Sequence, residues 1–112
     1  SLHWHPDGTR LASGSDSNIR IWDTVTQTCL TTLSDHHSWV CSVQWHPDGT
    51  RLASGSHGSM LKIWDVATGT VLASLSDHRG TVTSAQWHPD GTRLVSSSHD
   101  GTIKIWQTML DV

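Results

Sequence analysis

The sequence predicts an all-β chain built from stacked four-stranded antiparallel sheets. Three observations carry that prediction. The octapeptide Trp-His-Pro-Asp-Gly-Thr-Arg-Leu occurs three times, beginning at Trp4, Trp45 and Trp87, so its copies are almost evenly spaced. The dipeptide Ile-Trp begins at Ile21, Ile63 and Ile105, with the same step each time. Internal similarity at a period of about 40–45 residues marks a repeat array. The composition completes the case: there is no Glu, and Ser, Thr, Gly, Val, Ile and Trp dominate, a mixture that suits strands joined by tight turns.

The 112 residues hold about two and two-thirds repeats. The first repeat (1–34) keeps only the tail of its first strand, 1–4, followed by strands at 11–15, 18–22 and 28–33. Its middle turn is one residue short, because nine positions separate Ser13 from Trp22 where ten separate Ser54 from Trp64. The second repeat (35–76) is complete, with strands at 38–45, 51–56, 60–64 and 70–75. The third (77–112) supplies strands at 81–87, 93–98 and 102–106, and Val112 falls in the turn before its fourth. Each His-Pro-Asp-Gly is a turn. Proline fixes φ at the second turn position, Asp bonds back to nearby backbone, and Gly takes the left-handed residue. The small residues of Arg-Leu-Ala-Ser-Gly-Ser suit a strand closely covered on both faces. Poor alternation along the strands says the same, so no repeat buries both faces alone and the copies stack.

Charge and cysteines narrow the function classes. Net charge is −3, from seven Lys and Arg against ten Asp, and no basic run exists. That argues against a nucleic-acid surface, which wants a positive stripe. No apolar run approaches the ~18 residues of a membrane span, and no signal peptide opens the chain. Cys29 and Cys41 sit at unrelated places in the repeat and make no CxxC pair. Their spacing argues for no disulfide; they read as reduced packing residues of an intracellular protein, cytoplasmic with the nucleus open.

Asp77-His78 before a repeat, Trp-His-Pro-Asp-Gly after its first strand and Ile-Trp-Asp at the end of its third (Ile21-Trp22-Asp23, Ile63-Trp64-Asp65) resemble the WD40 repeat family over essentially the whole chain. The resemblance implies a β-propeller segment, with four-stranded blades set radially around a channel. It implies a scaffold that binds protein or peptide partners on its rims and faces, without catalysis. It also implies a structural tetrad of His, Ser, Asp and Trp. In the third repeat this maps onto His78, Ser96, Asp100 and Trp106. In the second it maps onto His36, Ser54 and Trp64, with Gly58 in place of Asp. In the first it maps onto Ser13, Asp16 and Trp22, and the segment that would carry the His is missing.

Two chemical readings compete with this one. His78, Ser96 and Asp100 could be a base, nucleophile and orienter. A catalytic set is needed once per site, however, whereas Ser and Trp recur in every repeat. His3 and His5 share one strand face, and His5, His46 and His88 fill one slot of successive repeats. Neighbouring blades hold those rings too far apart for a shared zinc at ~2 Å per bond, and each His reads as the opening of its turn. No cofactor or metal is expected. The repeating tryptophans Trp4, Trp45, Trp87, Trp22, Trp64 and Trp106 are expected in the core.

Specificity should lie where the repeats differ. Trp39 has no counterpart, since Thr81 fills its slot, and exposed Trp is enriched at binding hot spots. Arg79 replaces His37 in the equivalent loop. His37, Trp39, Met60, Arg79 and Thr102 are therefore the candidate partner-binding residues on one loop face. A regulatory or sensor array within a larger multidomain signalling protein or enzyme is the alternative to a plain scaffold. A propeller of fewer than four blades is not expected. An open apolar face of ~500 Å² forgoes on the order of 12 kcal/mol, so further blades are needed, from a longer chain or from other copies. The longer chain is the expected source, because both ends fall inside a repeat.

Overall fold

The computed structural model describes residues 1–34, 36–76 and 78–107. Within them the chain runs through β1 (Leu2–Trp4), β2 (Arg10–Ser15), β3 (Asn18–Asp23), β4 (Thr28–Leu33), β5 (Val40–Trp45), β6 (Arg51–Ser56), β7 (Leu61–Asp65), β8 (Thr70–Leu75), β9 (Val82–Trp87), β10 (Arg93–Ser98) and β11 (Ile103–Gln107). The strands form three sheets in chain order, β1–β4, β5–β8 and β9–β11, with antiparallel pairing throughout. This is the predicted fold class, an all-β set of blades not closed into a ring. The predicted strands 60–64 and 102–106 lie one residue later, and 38–45 begins only at Val40. Asp35, Asp77 and the C-terminal end of the third repeat, 108–112, lie outside the described residues.

The repeated sequence produces a repeated register. Leu11 lies opposite Trp4 and Trp22, Leu52 opposite Trp45 and Trp64, and Leu94 opposite Trp87 and Trp106. The Pro-Asp-Gly turn is built alike each time. In the second sheet Gly49 N–H donates to His46 O (2.8 Å), and Thr50 N–H and Oγ1–H donate to Asp48 Oδ1 (2.8 and 2.9 Å). The shortened turn of the first sheet closes with two residues between the paired Ser15 and Asn18, and Asp16 takes the left-handed φ of 44° that this needs.

Two apolar layers lie between the three sheets. The first gathers Ala12, Ile19, Ile21, Val40, Val43 and Trp45; the second gathers Ala53, Leu61, Ile63, Val82, Ala85 and Trp87. Glycine sets the spacing. A Cβ at Gly14 would stand 2.6 Å from Val40 Cγ1, and one at Gly55 would stand 2.5 Å from Val82 Cγ1. Backbone amides also bond across these gaps: Val40 N–H donates to Asp16 O (2.7 Å), and Ala85 N–H to the Ser42 side-chain Oγ (3.2 Å). Trp45 N–H donates to His3 Nδ1 (2.9 Å), and burial lowers the His3 pKa, which favours the neutral ring that can accept this bond.

One core expectation is corrected. Trp45, Trp64 and Trp87 are buried and Trp22 and Trp106 half-buried, but Trp4 is 55% exposed. Trp45 and Trp87 are each covered by the histidine of the preceding sheet, and no described sheet precedes β1.

Candidate functional site

Loops gather on one edge of the stack: the segments leading into β5 and β9, and the β2–β3, β6–β7 and β10–β11 turns. Their contacts are again repeated. His57 N–H donates to Trp39 O (2.9 Å), and His99 N–H donates to Thr81 O (3.0 Å). Each lead-in segment is thereby tied to a turn of its own sheet. A hydrogen-bond network lies beneath each of these lead-ins.

In the third sheet, Trp106 Nε1–H donates to Ser96 Oγ (2.8 Å), and Ser96 Oγ lies 2.7 Å from His78 Nε2. With the indole proton on Ser96, the serine hydroxyl hydrogen is left for His78 Nε2. His78 is then assigned as the Nδ1–H tautomer, and its other nitrogen lies 3.3 Å from Asp100 Oδ2 and 3.2 Å from Thr102 Oγ1. Asp100 also accepts from the Thr102 hydroxyl, from Arg79 N–H (2.8 Å) and from Thr102 N–H (2.8 Å). These bonds, the Thr102 hydroxyl foremost and the Arg79 amide next, hold the Asp100 carboxyl well below the usual carboxylate range. The structure therefore brings all four residues His78, Ser96, Asp100 and Trp106 together.

In the second sheet Trp64 Nε1–H donates to Ser54 Oγ (2.8 Å), and Ser54 Oγ lies 2.6 Å from His36 Nε2. Gly58 supplies no carboxylate, and a Cβ there would approach Ser38 Oγ to 2.8 Å. In the first sheet Trp22 Nε1–H donates to Ser13 Oγ (2.9 Å). Asp16 is not brought to that pair. It is exposed, and its backbone carbonyl instead meets the second sheet at Val40.

The Ser-His-Asp constellation of the third sheet cannot present a nucleophile in this arrangement. Ser96 is 1% exposed, and its Oγ is engaged from both sides by Trp106 and His78. The network lies under the loops and is joined to them at Arg79 and Thr102.

Above it stand the non-repeating residues. Trp39 is 52% exposed; His37, Arg79 and Thr102 are exposed, and Met60 is half-buried. Two hollows open among them. One of about 250 Å³ is lined by His36, His37, Ser38, Ser56, Gly58, Met60 and Lys62. The other, of about 600 Å³, is lined by Ser76, Arg79, Asp100, Thr102 and Lys104. The first is largely apolar in its walls beside one lysine. The second pairs two cationic side chains with a carboxylate already engaged by the loops.

The opposite edge carries histidines whose role the sequence reading missed. His46 Nδ1 accepts Asp48 N–H (3.0 Å), so its Nε2 carries the proton and donates to Gly91 O of the next sheet (2.8 Å). His5 Nε2 stands 2.8 Å from Gly49 O in the same way, with the Arg10 guanidinium 3.0 Å from that nitrogen. A Cβ at Gly49 or Gly91 would come within 2.6 Å of the histidine ring. The signal was present: His precedes Pro-Asp-Gly in every copy. Reading it as a turn opener accounted for the Nδ1 bond alone. Among the described residues no group of three or more His, Cys, Asp or Glu side chains is placed to hold a metal ion.

A family model for the WD domain, G-beta repeat, matches residues 1–23, 27–65 and 69–107. Its unit is offset from the sheets. Residues 27–65 take β4 from the first sheet and β5–β7 from the second, so each complete unit ties two sheets together. Polyadenylation factor subunit 2 of Gibberella zeae is 46% identical over 44 residues, 38% of this chain and 7% of that protein. The chain thus spans under a tenth of that curated relative's length. Among the described residues no helix is long and apolar enough to cross a membrane.

Proposed function

The chain belongs to the WD40 repeat family, and from that premise we propose that it is a protein-interaction scaffold without catalysis of its own, which takes a protein or peptide partner on its loop face. Trp39 carries the reading. A large aromatic side chain that is half exposed, stands outside the repeat pattern and lies in a segment fixed by bonds to its own sheet has the character of a binding anchor. His37 and Met60 line one hollow on that face, and Arg79 and Thr102 line the other. We place the protein inside the cell, in the cytoplasm or nucleus, on the support of two free cysteines. The His-Ser-Asp-Trp network is read as the support of the loops rather than as a reactive site.

The test is capture of partners with the chain, wild type against Trp39→Ala. Because the Trp39 side chain is half exposed, the substitution should leave the unfolding free energy within about 0.5 kcal/mol of wild type. Partner binding should fall by tenfold or more. Unchanged binding in a folded Trp39→Ala protein would remove the basis of the assignment.

A further inference from the structure

The two hollows on the loop edge are one site written twice. The larger is lined by Arg79, Asp100, Thr102 and Lys104, and the smaller by His37, Gly58, Met60 and Lys62, which are the same positions one repeat earlier. The frames around them match. His36 Nε2 stands 2.6 Å from Ser54 Oγ, and His78 Nε2 stands 2.7 Å from Ser96 Oγ. Ser56 N–H donates to Met60 O (3.1 Å) as Ser98 N–H donates to Thr102 O (3.2 Å). One group differs. In the third sheet Asp100 Oδ2 accepts Arg79 N–H and its Oδ1 accepts Thr102 N–H, both at 2.8 Å. In the second sheet Gly58 stands at that position. The counterpart amides there, His37 N–H and Met60 N–H, meet no acceptor among the described residues.

We propose that the smaller hollow is a carboxylate-binding site, filled by an Asp or Glu side chain of the peptide partner. The inference rests on the scaffold reading above and names the chemistry that the loop face selects. The partner's carboxylate takes the place that Asp100 holds in the third sheet. One oxygen accepts His37 N–H and the other accepts Met60 N–H. Clustered backbone amides form anion sites of this kind, and hydrogen bonds to an ionised acceptor are stronger than neutral ones. A planar group with two oxygens satisfies both amides at once, as Asp100 does. Lys62 lies in the wall of the hollow where Lys104 lies in the other, so each carries a cationic side chain beside the carboxylate position. Trp39 adjoins Ser38 of the same wall and is half exposed, so an apolar neighbour of the acidic residue has a surface to meet.

A paired exchange of side chains supports the assignment. In the third sheet Asp100 faces Gly80, and a Cβ on that glycine would stand 3.0 Å from Asp100 N. In the second sheet the glycine is Gly58 and the residue facing it is Ser38, whose Oγ would lie 2.8 Å from a Cβ at Gly58. Each loop thus has room for one side chain of the two. Asp100 receives a hydroxyl donor from Thr102, which Met60 cannot supply at the equivalent position. Ser38 restores a hydroxyl to the second hollow and sets it where the stem of an internal acid would run. The second sheet therefore keeps a donor set of two amides and a hydroxyl, while its own turn carries no acid to use it. An acid from outside completes the set.

Titration of the protein with N-acetyl-aspartate methylamide, followed by amide nuclear magnetic resonance shifts, tests the proposal. The His37, Ser38 and Met60 amides should move saturably. The asparagine analogue should bind at least tenfold more weakly. The double variant Ser38→Gly with Gly58→Asp copies the Gly80 and Asp100 pair and fills the hollow from within, so its response to the aspartate probe should be lost. The comparison of aspartate with asparagine on wild type decides the matter where the double variant does not fold. An absent or non-saturable response to aspartate, an equal response to asparagine, or a response retained in the folded double variant would each overturn the site. Inorganic phosphate that binds there more tightly than the aspartate probe would overturn its assignment to a carboxylate. Partner capture that depends on Trp39 beside a silent hollow sinks this inference and leaves the scaffold reading standing, so the two fail separately.

Discussion

The second and third sheets place the same residue types at the same registers and differ in what lies against them. Ile63 pairs with Ala53, and Ile105 pairs with Val95. Yet Ile63 is 1% exposed and Ile105 70%, and Leu61 is buried where its counterpart Ile103 is exposed. Strand, turn and register are therefore properties of the local sequence here, whereas burial is a property of the neighbour. A side chain that packs nothing within its own sheet contributes to stability only through the joint it enters.

That contrast gives the largest predicted effect. Ile63→Ala removes buried methyl and methylene groups from the layer between the second and third sheets. It should cost about 2–5 kcal/mol of unfolding free energy, measured by denaturant titration, and the cost should be the same at every protein concentration. Ile105→Ala should cost less than about 0.5 kcal/mol in dilute, monomeric protein, as an exposed substitution does. Equal losses at the two positions would mean that the third sheet's face is covered in solution.

The next contrast exchanges the residues that set the spacing of the joints. Gly55→Ser places on the second sheet what the third already carries at Ser97, and its Cβ would meet Val82 Cγ1 at 2.5 Å. The sheets must part or the valine must leave its rotamer, at about 1–3 kcal/mol. The reverse change, Ser97→Gly, relieves no clash. It loses the Ser97–Thr83 hydroxyl contact of 2.9 Å and adds strand flexibility, for about 1 kcal/mol or less. Thermal unfolding of the pair should rank them in that order.

Much of this was legible in the sequence because repetition supplies its own alignment. The period placed every described strand to within two residues, and the turn chemistry of Pro-Asp-Gly placed the hairpins. Ser54 with Trp64 and Ser96 with Trp106 were mapped through the resemblance to the WD40 family, and repetition made the mapping transferable from one copy to the next. What repetition hid was relation between copies. His5, His46 and His88 read identically, and only the fold shows that two reach a following glycine carbonyl while the third meets none among the described residues. Trp4 read as core by analogy with Trp45 and is exposed, because its cover must come from a different sheet. Asp16 matched the tetrad by position, but a turn one residue shorter needed its left-handed backbone and left the carboxylate away from Ser13.

The smallest predicted effect separates the loop networks of the same two sheets by acid. The third sheet's network ends in Asp100, whose carboxyl is held below the ordinary carboxylate range by the Thr102 hydroxyl and the Arg79 amide; the second has Gly58 at that position. A carboxyl more acidic folded than unfolded adds stability that is fully present above its unfolded pKa, near ~3.9. That contribution is lost as pH falls through the folded value. Wild type should therefore exceed Asp100→Asn in unfolding midpoint at pH 6, and the difference should shrink as pH drops below about 4. The turn carboxylates act in the same direction in both proteins; Asp90 is held at about 2 by the Thr92 amide and hydroxyl. Both proteins should thus lose stability in acid, and only the gap between them reports on Asp100. A gap that stays constant from pH 6 to pH 2 would mean that ionisation of Asp100 contributes nothing to it. The third sheet's loops would then owe the difference to the shape and hydrogen bonds of the side chain, and not to its charge.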